Sequence, residues 1–279
     1  MTKQIRVIMF MAHPDEAEEY TGGTAALFAQ MGHAVKFVSL TNGDAGHFGE
    51  ERSALAKRRL AEAQEAGRIL GVEYRVLDHH DGELQATIEV RKEVIRLTRE
   101  WKADIVIGFH PTGGSHADNR TAGEAVRDAA AFVAFTPLLV PDVPPLKQSP
   151  VFLLTPDYHA KQFYRPDIAI DVDQVIDKKM DAIAAHVSQV YEFGPWQRGI
   201  LDKVPQGQAE RKEFLWSQQK NYFDPTKDRP ELKPVLEKWY GPERAMTIQY
   251  AEAFEIADYG RHPNDDEIRE LFPMLPAKP

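Results

Sequence analysis

The sequence predicts an α/β chain: a doubly wound, mainly parallel sheet, followed by a C-terminal helical extension over about residues 194–279. Short apolar runs, bounded by polar residues, recur at residues 5–11, 35–40, 74–77 and 105–109, as strands buried on both faces do. Between them lie stretches of helical periodicity, several closed by glycine, such as residues 53–70 before Gly71. That alternation is the pattern of successive β-α units.

The elements follow in order. Residues 5–11 form the first strand, and Gly22-Gly23 reads as a turn leading into a short helix over 24–31 that stops at Gly32. A second strand at 35–40 ends in the polar, glycine-rich stretch 41–47. The helix over 53–70, a strand at 74–77, a helix over 88–101 and a strand at 105–109 come next. A helix is expected over about 120–132, then a proline-rich connection over 137–150. Two more strands are expected at 151–154 and 168–171 and a helix over 173–191, with further helices over 209–219 and 243–255. No internal repeat or low-complexity segment marks a separate module, so one domain spanning 1–279 is expected.

Composition narrows the function. The 279 residues, 43% of them hydrophobic, suffice for a substantial core. There is no cysteine, so any metal must be held by histidine, carboxylate or amide groups, which suit hard or borderline divalent ions. The formal net charge of −9 and the lack of a basic run argue against binding nucleic acid through its phosphates. No apolar segment of membrane length and no signal-peptide pattern is visible, so a cytoplasmic protein without a membrane partner is expected.

Two stretches carry chemistry. In Ala12-His13-Pro14-Asp15-Glu16 the first strand stops at a cluster of ligating and proton-transferring groups, where open α/β sheets keep their sites. Pro14 stiffens the loop. His13 and Glu16, three residues apart on a turn, can converge on one cation and leave Asp15 free as a base. Alone, the motif reads better as a helix cap beside a satisfied loop histidine. The second stretch runs from His110 to Asn119 after the strand at 105–109 and places His116, Asp118 and Asn119 opposite the first cluster. Asp81 is a further candidate in the loop Asp78-His79-His80-Asp81.

The two loops together resemble the LmbE-like deacetylases, the family that includes the PIG-L N-acetylglucosaminyl-phosphatidylinositol de-N-acetylases. Residues 12–16 look like the family's Ala-His-Pro-Asp-Asp signature, residues 40–46 like its second loop, and Arg59 with Glu62 like its Arg-x-x-Glu helix. His116-Ala117-Asp118-Asn119 looks like its His-Pro-Asp-His element, and residues 251–255 resemble a segment of its longer bacterial members. The resemblance implies a Rossmann-like fold and a metal-dependent amide hydrolase that removes an N-acetyl group from an amino sugar or related N-acylated small molecule. It implies zinc or another divalent ion held by His13, Glu16 and Asn119, with Asp15 as general base. His116 would stabilise the oxyanion, Asp118 would orient its ring, and Arg59 and Asp81 would hold sugar hydroxyls.

Two positions depart from the pattern. Glu16 replaces aspartate, and Asn119 replaces the third-ligand histidine with a weaker amide donor. His110 or His116 can stand in for that ligand. The alternative is a catalytically silent small-molecule binding protein that has lost its metal through Asn119. A homo-oligomer is left open.

Overall fold

The computed structural model describes residues 3–112, 114, 116–157 and 164–277. Its strands are β1 (Arg6–Met11), β2 (Ala34–Thr41), β3 (Glu73–His79), β4 (Ile105–Phe109), β5 (Val151–Thr155), β6 (Ile168–Asp171) and β7 (Ala251–Gly260). Among the described residues they form one sheet in the order β3-β2-β1-β4-β5-β7-β6. The first five are parallel, and β7 runs antiparallel to both β5 and β6. Sequence order reverses between β1 and β4, so the loops after these two strands open onto the crevice where such sheets bind ligands. Val7 to Met11 are wholly buried, as expected of a central strand.

Helices α1 (Glu16–Gln30), α2 (Arg52–Leu70), α3 (Ile88–Trp101) and α4 (Ala117–Ala130) connect the parallel strands. Two expectations need correction here. Gly22 and Gly23 are not a turn; they lie inside α1. A β-carbon on Gly23 would sit 2.6 Å from Val172 Cγ1, so the helix takes glycine there for close packing. The Gly23 N–H and the Glu19 carbonyl, partners in an unbroken helix, are both addressed by a buried ion pair. Glu252 accepts from the N–H groups of Gly23 and Thr24 at 2.8 and 2.7 Å. Lys179 Nζ lies 2.7 Å from both Glu252 Oε1 and the Glu19 carbonyl.

The second correction concerns residues 243–255, expected as a helix. Only α9 (Pro242–Ala245) is helical there, and the chain then becomes β7. The alanines and glutamates of residues 251–255 favour helix, but two waiting strand edges and a buried face outweigh local propensity. The extension therefore contributes a strand to the sheet as well as helices α6 (Gly194–Gln197), α7 (Gln208–Ser217), α8 (Lys233–Tyr240), α9 and α10 (Asp265–Leu271). The helix expected over 173–191 is broken: α5 (Ile176–Ala184) is followed by a π-helical turn at Ser188–Phe193. Among the described residues no helix is long and apolar enough to cross a membrane.

Candidate active site

After β1 the chain turns sharply. Asp15, at the start of α1, has φ of 119°, a region unfavourable for a residue with a side chain. Surrounding groups hold it there. Its N–H donates to the Tyr74 hydroxyl at 3.2 Å, and its Oδ2 lies 3.1 Å from Arg59 Nη2. Arg59 is only 2% exposed and also donates to the carbonyls of Pro14 at 2.5 Å and Gly43 at 3.1 Å. A β-carbon on Gly43 would come within 2.4 Å of that guanidinium, and φ there is +69°, so only glycine lets the second loop close over it.

His13 lies between carboxylates. On one side Glu16 accepts from the His13 backbone N–H at 2.7 Å and sits 3.1 Å from its Nδ1. On the other, Nε2 is 3.1 Å from Asp81 Oδ1 and 3.3 Å from Asp118 Oδ2. Asp118 is almost fully buried and is fixed by the N–H groups of Gly82 and Leu84 at 2.7 and 3.3 Å. His116 meets His13 edge to face, with ring centroids 4.5 Å apart, and its Nδ1 caps α4 by accepting from the Asp118 N–H at 3.2 Å. One donor atom each from His13, Asp81 and His116 lie within 4.8 Å of one another.

Charge in the pocket is strongly organised. Burial disfavours a protonated His13, but Glu16, Asp118 and Asp81 outweigh it and hold the imidazole well above its usual value. Burial pushes Asp15 up to about 6; Arg59, His186 and His13 pull it back, while Glu16 pushes further. Burial also acts to raise Asp81, yet the hydrogen bond and charge of His13, with the charges of Arg59 and His116, hold it down to about 2. Positive charge is thus demanded at the Nε2 face of His13. Two imidazoles and a carboxylate there are a donor set that fits a zinc-like divalent ion.

The predicted residues separate into groups. His13, Asp81, His116 and Asp118 come together, with Asp15 joined to them through Arg59, which also lies 3.7 Å from Asp81 Oδ2. The carboxylate in the donor trio is that of Asp81, while Glu16, expected as a ligand, directs its carboxylate to the backbone N–H and Nδ1 of His13. Asn119 is buried, with Nδ2 3.4 Å from Asp157 Oδ2 and Oδ1 without a hydrogen-bond partner among the described residues. His110 turns back onto its own loop, accepting from the Thr112 N–H at 3.0 Å. Sequence reasoning missed Tyr74, and also His186 and Glu18, which form a wholly buried pair at 3.2 Å. No local spacing points to His186, which reaches the site from after α5.

A second group, His47, Glu50 and Glu192, also brings potential ligands together. Arg58 already pairs with both of its carboxylates, at 2.7 Å for Glu192. A cation already stands between them without a metal.

The profile of the GlcNAc-PI de-N-acetylase (PIG-L) family matches residues 8–130, the span from β1 to the end of α4. Diacetylchitobiose deacetylase of Thermococcus kodakarensis is 32% identical over 198 residues, 67% of this chain and 71% of that protein. The chain belongs to the PIG-L, or LmbE-like, family. Among solved structures, N,N'-diacetylchitobiose deacetylase from Pyrococcus horikoshii, complexed with its inhibitor MPG, aligns with a TM-score of 0.65 at 25% identity. The alignment covers 90% of this chain and 83% of that one. Relatives in the family are not all deacetylases. The 4-oxalmesaconate hydratase of Pseudomonas putida is 24% identical over 229 residues, 78% of this chain and 88% of the hydratase.

Proposed function

We propose that this protein is a metal-dependent hydrolase that removes an N-acetyl group from an amino sugar or a related N-acylated small molecule. The observation that carries the reading is the donor trio His13, Asp81 and His116 beside Asp15, at the crevice between β1 and β4. These three residues would hold the ion, for which zinc is the first candidate, with Asn119 Oδ1 as a further free oxygen. When bound, the ion would polarise the acetyl carbonyl and lower the pKa of a water molecule.

The chain's own groups do the rest. Glu16 keeps the His13 Nδ1 proton on its own side, so Nε2, between Asp81 and Asp118, is the nitrogen that would give up its proton to a bound ion. Asp15, lifted to about 6, is ionised at neutral pH, yet close enough to it to take a proton from the attacking water and return it to the departing amine. Arg59 is too buried to meet a sugar, so its role is to position Asp15 and the second loop. His116 acts as a ligand here, in place of the oxyanion role the resemblance implies. A metal-free binding protein is the weaker reading, because the donor trio does not depend on Asn119.

A hydratase reading is favoured by one observation, the longer alignment with the P. putida enzyme. It would use the same water and base. The test is release of acetate from N-acetylglucosamine and N,N'-diacetylchitobiose by zinc-loaded protein, beside hydration of 4-oxalmesaconate, a conjugated unsaturated tricarboxylate. Asp15→Asn should cost about a hundredfold to ten-thousandfold in turnover while keeping its zinc. Hydration without acetate release would replace the first reading with the second, and full activity after metal removal would sink both.

A further inference from the structure

Large apolar side chains rarely stay half exposed in stacked groups, and here two do so beside the candidate site. Phe48 and Trp196 are 44% and 49% exposed, with ring centroids 5.2 Å apart and planes 19° from parallel. His47 lies against Phe48 at 4.4 Å and 21°, and Phe193 lies against Trp196 at 5.9 Å and 14°. The support is rigid. His47 Nδ1 accepts from the N–H groups of Gly49 and Glu50 at 3.1 Å, its Nε2 meets Glu192 at 3.1 Å, and Arg58 grips Glu192.

The group continues directly from the pocket. A β-carbon on Gly46 would lie 2.9 Å from Arg59 Nη1 and 3.4 Å from Asp81 Oδ2, so Gly46 forms the wall beside Asp81. Phe48 is two residues further on, at most about 7.6 Å along the backbone, which is the scale of a single sugar unit. Gln189 bridges the two parts, donating to the Gly46 carbonyl at 3.0 Å from the turn that leads to Trp196. The amide of Gln189 stands against Gly46, and the carboxylates of Glu50 and Glu192 gather with His47, the ring stacked on Phe48.

We propose that Phe48 and Trp196 are a binding subsite for the second pyranose ring of an N-acetylated disaccharide whose first ring carries the acetyl group to be cleaved. A pyranose offers a face of C–H groups for aromatic rings and a belt of hydroxyls for a polar rim. That combination matches this surface better than a wholly apolar or a charged ligand would. The rings are held before the ligand arrives, so little ordering cost falls on binding. The subsite rests on the deacetylase reading for its first ring, while its own binding can be observed separately.

The experiment compares wild type, Phe48→Ala and Trp196→Ala, zinc-loaded, on N-acetylglucosamine and on N,N'-diacetylchitobiose. The disaccharide KM should rise by about tenfold in each variant with kcat kept, and kinetics on the monosaccharide should not change. In parallel, tryptophan emission is titrated with N,N'-diacetylchitobiose in wild type and in Trp196→Ala. A saturable change confined to wild type is expected. Saturable binding without turnover of either sugar would support the subsite and overturn the deacetylase reading. Turnover with equal effects on both sugars, or no effect and no emission change, would overturn the subsite.

Discussion

Glu16 holds His13 at two points, taking its backbone N–H at 2.7 Å and standing 3.1 Å from its Nδ1. One carboxylate thereby sets the loop's path and the ring's orientation. Glu16→Gln should weaken zinc affinity by about ten- to hundredfold, the usual cost of losing a group that orients a ligand. Isothermal titration with zinc measures it. An unchanged affinity would show that Glu16 has no influence on His13.

Among the described residues, Asn119 leaves a buried oxygen unpartnered at the first turn of the helix that His116 caps. Asn119→His should tighten zinc binding by supplying an imidazole, and each tenfold gain adds about 1.4 kcal/mol to stability in excess zinc. Melting curves with and without the metal test this. A folded variant whose melting temperature responds to zinc no more than the parent's would show that residue 119 does not face the ion.

Asp44 ties the second loop to the third. Burial would raise its carboxyl, but Arg52, His80 and the Asp81 N–H hold it below the usual carboxylate range. Because the folded value is depressed, its stabilisation is complete above the ordinary value near 3.9 and is lost as pH falls through the folded value. Asp44→Asn should therefore melt lower than wild type near neutrality, and the gap should close below about pH 4. A gap that stays constant on acidification would contradict the linkage.

Gly23→Ala should destabilise the protein, although alanine is the better helix former by about 1 kcal/mol. Overpacking against Val172, at 2.6 Å from the new methyl, typically costs about 1–3 kcal/mol. Adding Val172→Ala should restore part of the loss. Urea unfolding of the two single variants and the double variant gives the coupling, and strict additivity would mean that the two side chains do not clash.

Much of this architecture was legible in the sequence, for stated physical reasons. The helix Ile88–Trp101 and the strand Ile105–Phe109 lie where periodicity and burial pattern put them. His13 and His116 meet because both loops leave the same end of parallel strands. Asp81 was harder to place. In Asp78-His79-His80-Asp81 every residue is a plausible ligand, and only tertiary contacts assign His79 to Glu93, His80 to Asp44 and Asp81 to His13. Residues 251–255 form strand where a helix is expected, because alanine and glutamate carry a helix preference that two unsatisfied strand edges override.

The placement of β7 has a consequence for biosynthesis. Every loop bearing a candidate ligand, at His13, Asp81 and His116, leaves the ribosome long before residues 251–260, yet those residues bridge β5 to β6. Until they emerge, the five buried residues of β5 present an apolar, unpaired edge, and β6 lacks its pairing strand. The nascent chain therefore exposes an aggregation-prone rim from the emergence of β5 until that of β7, and closing the sheet is a late step that chaperones would be expected to shield.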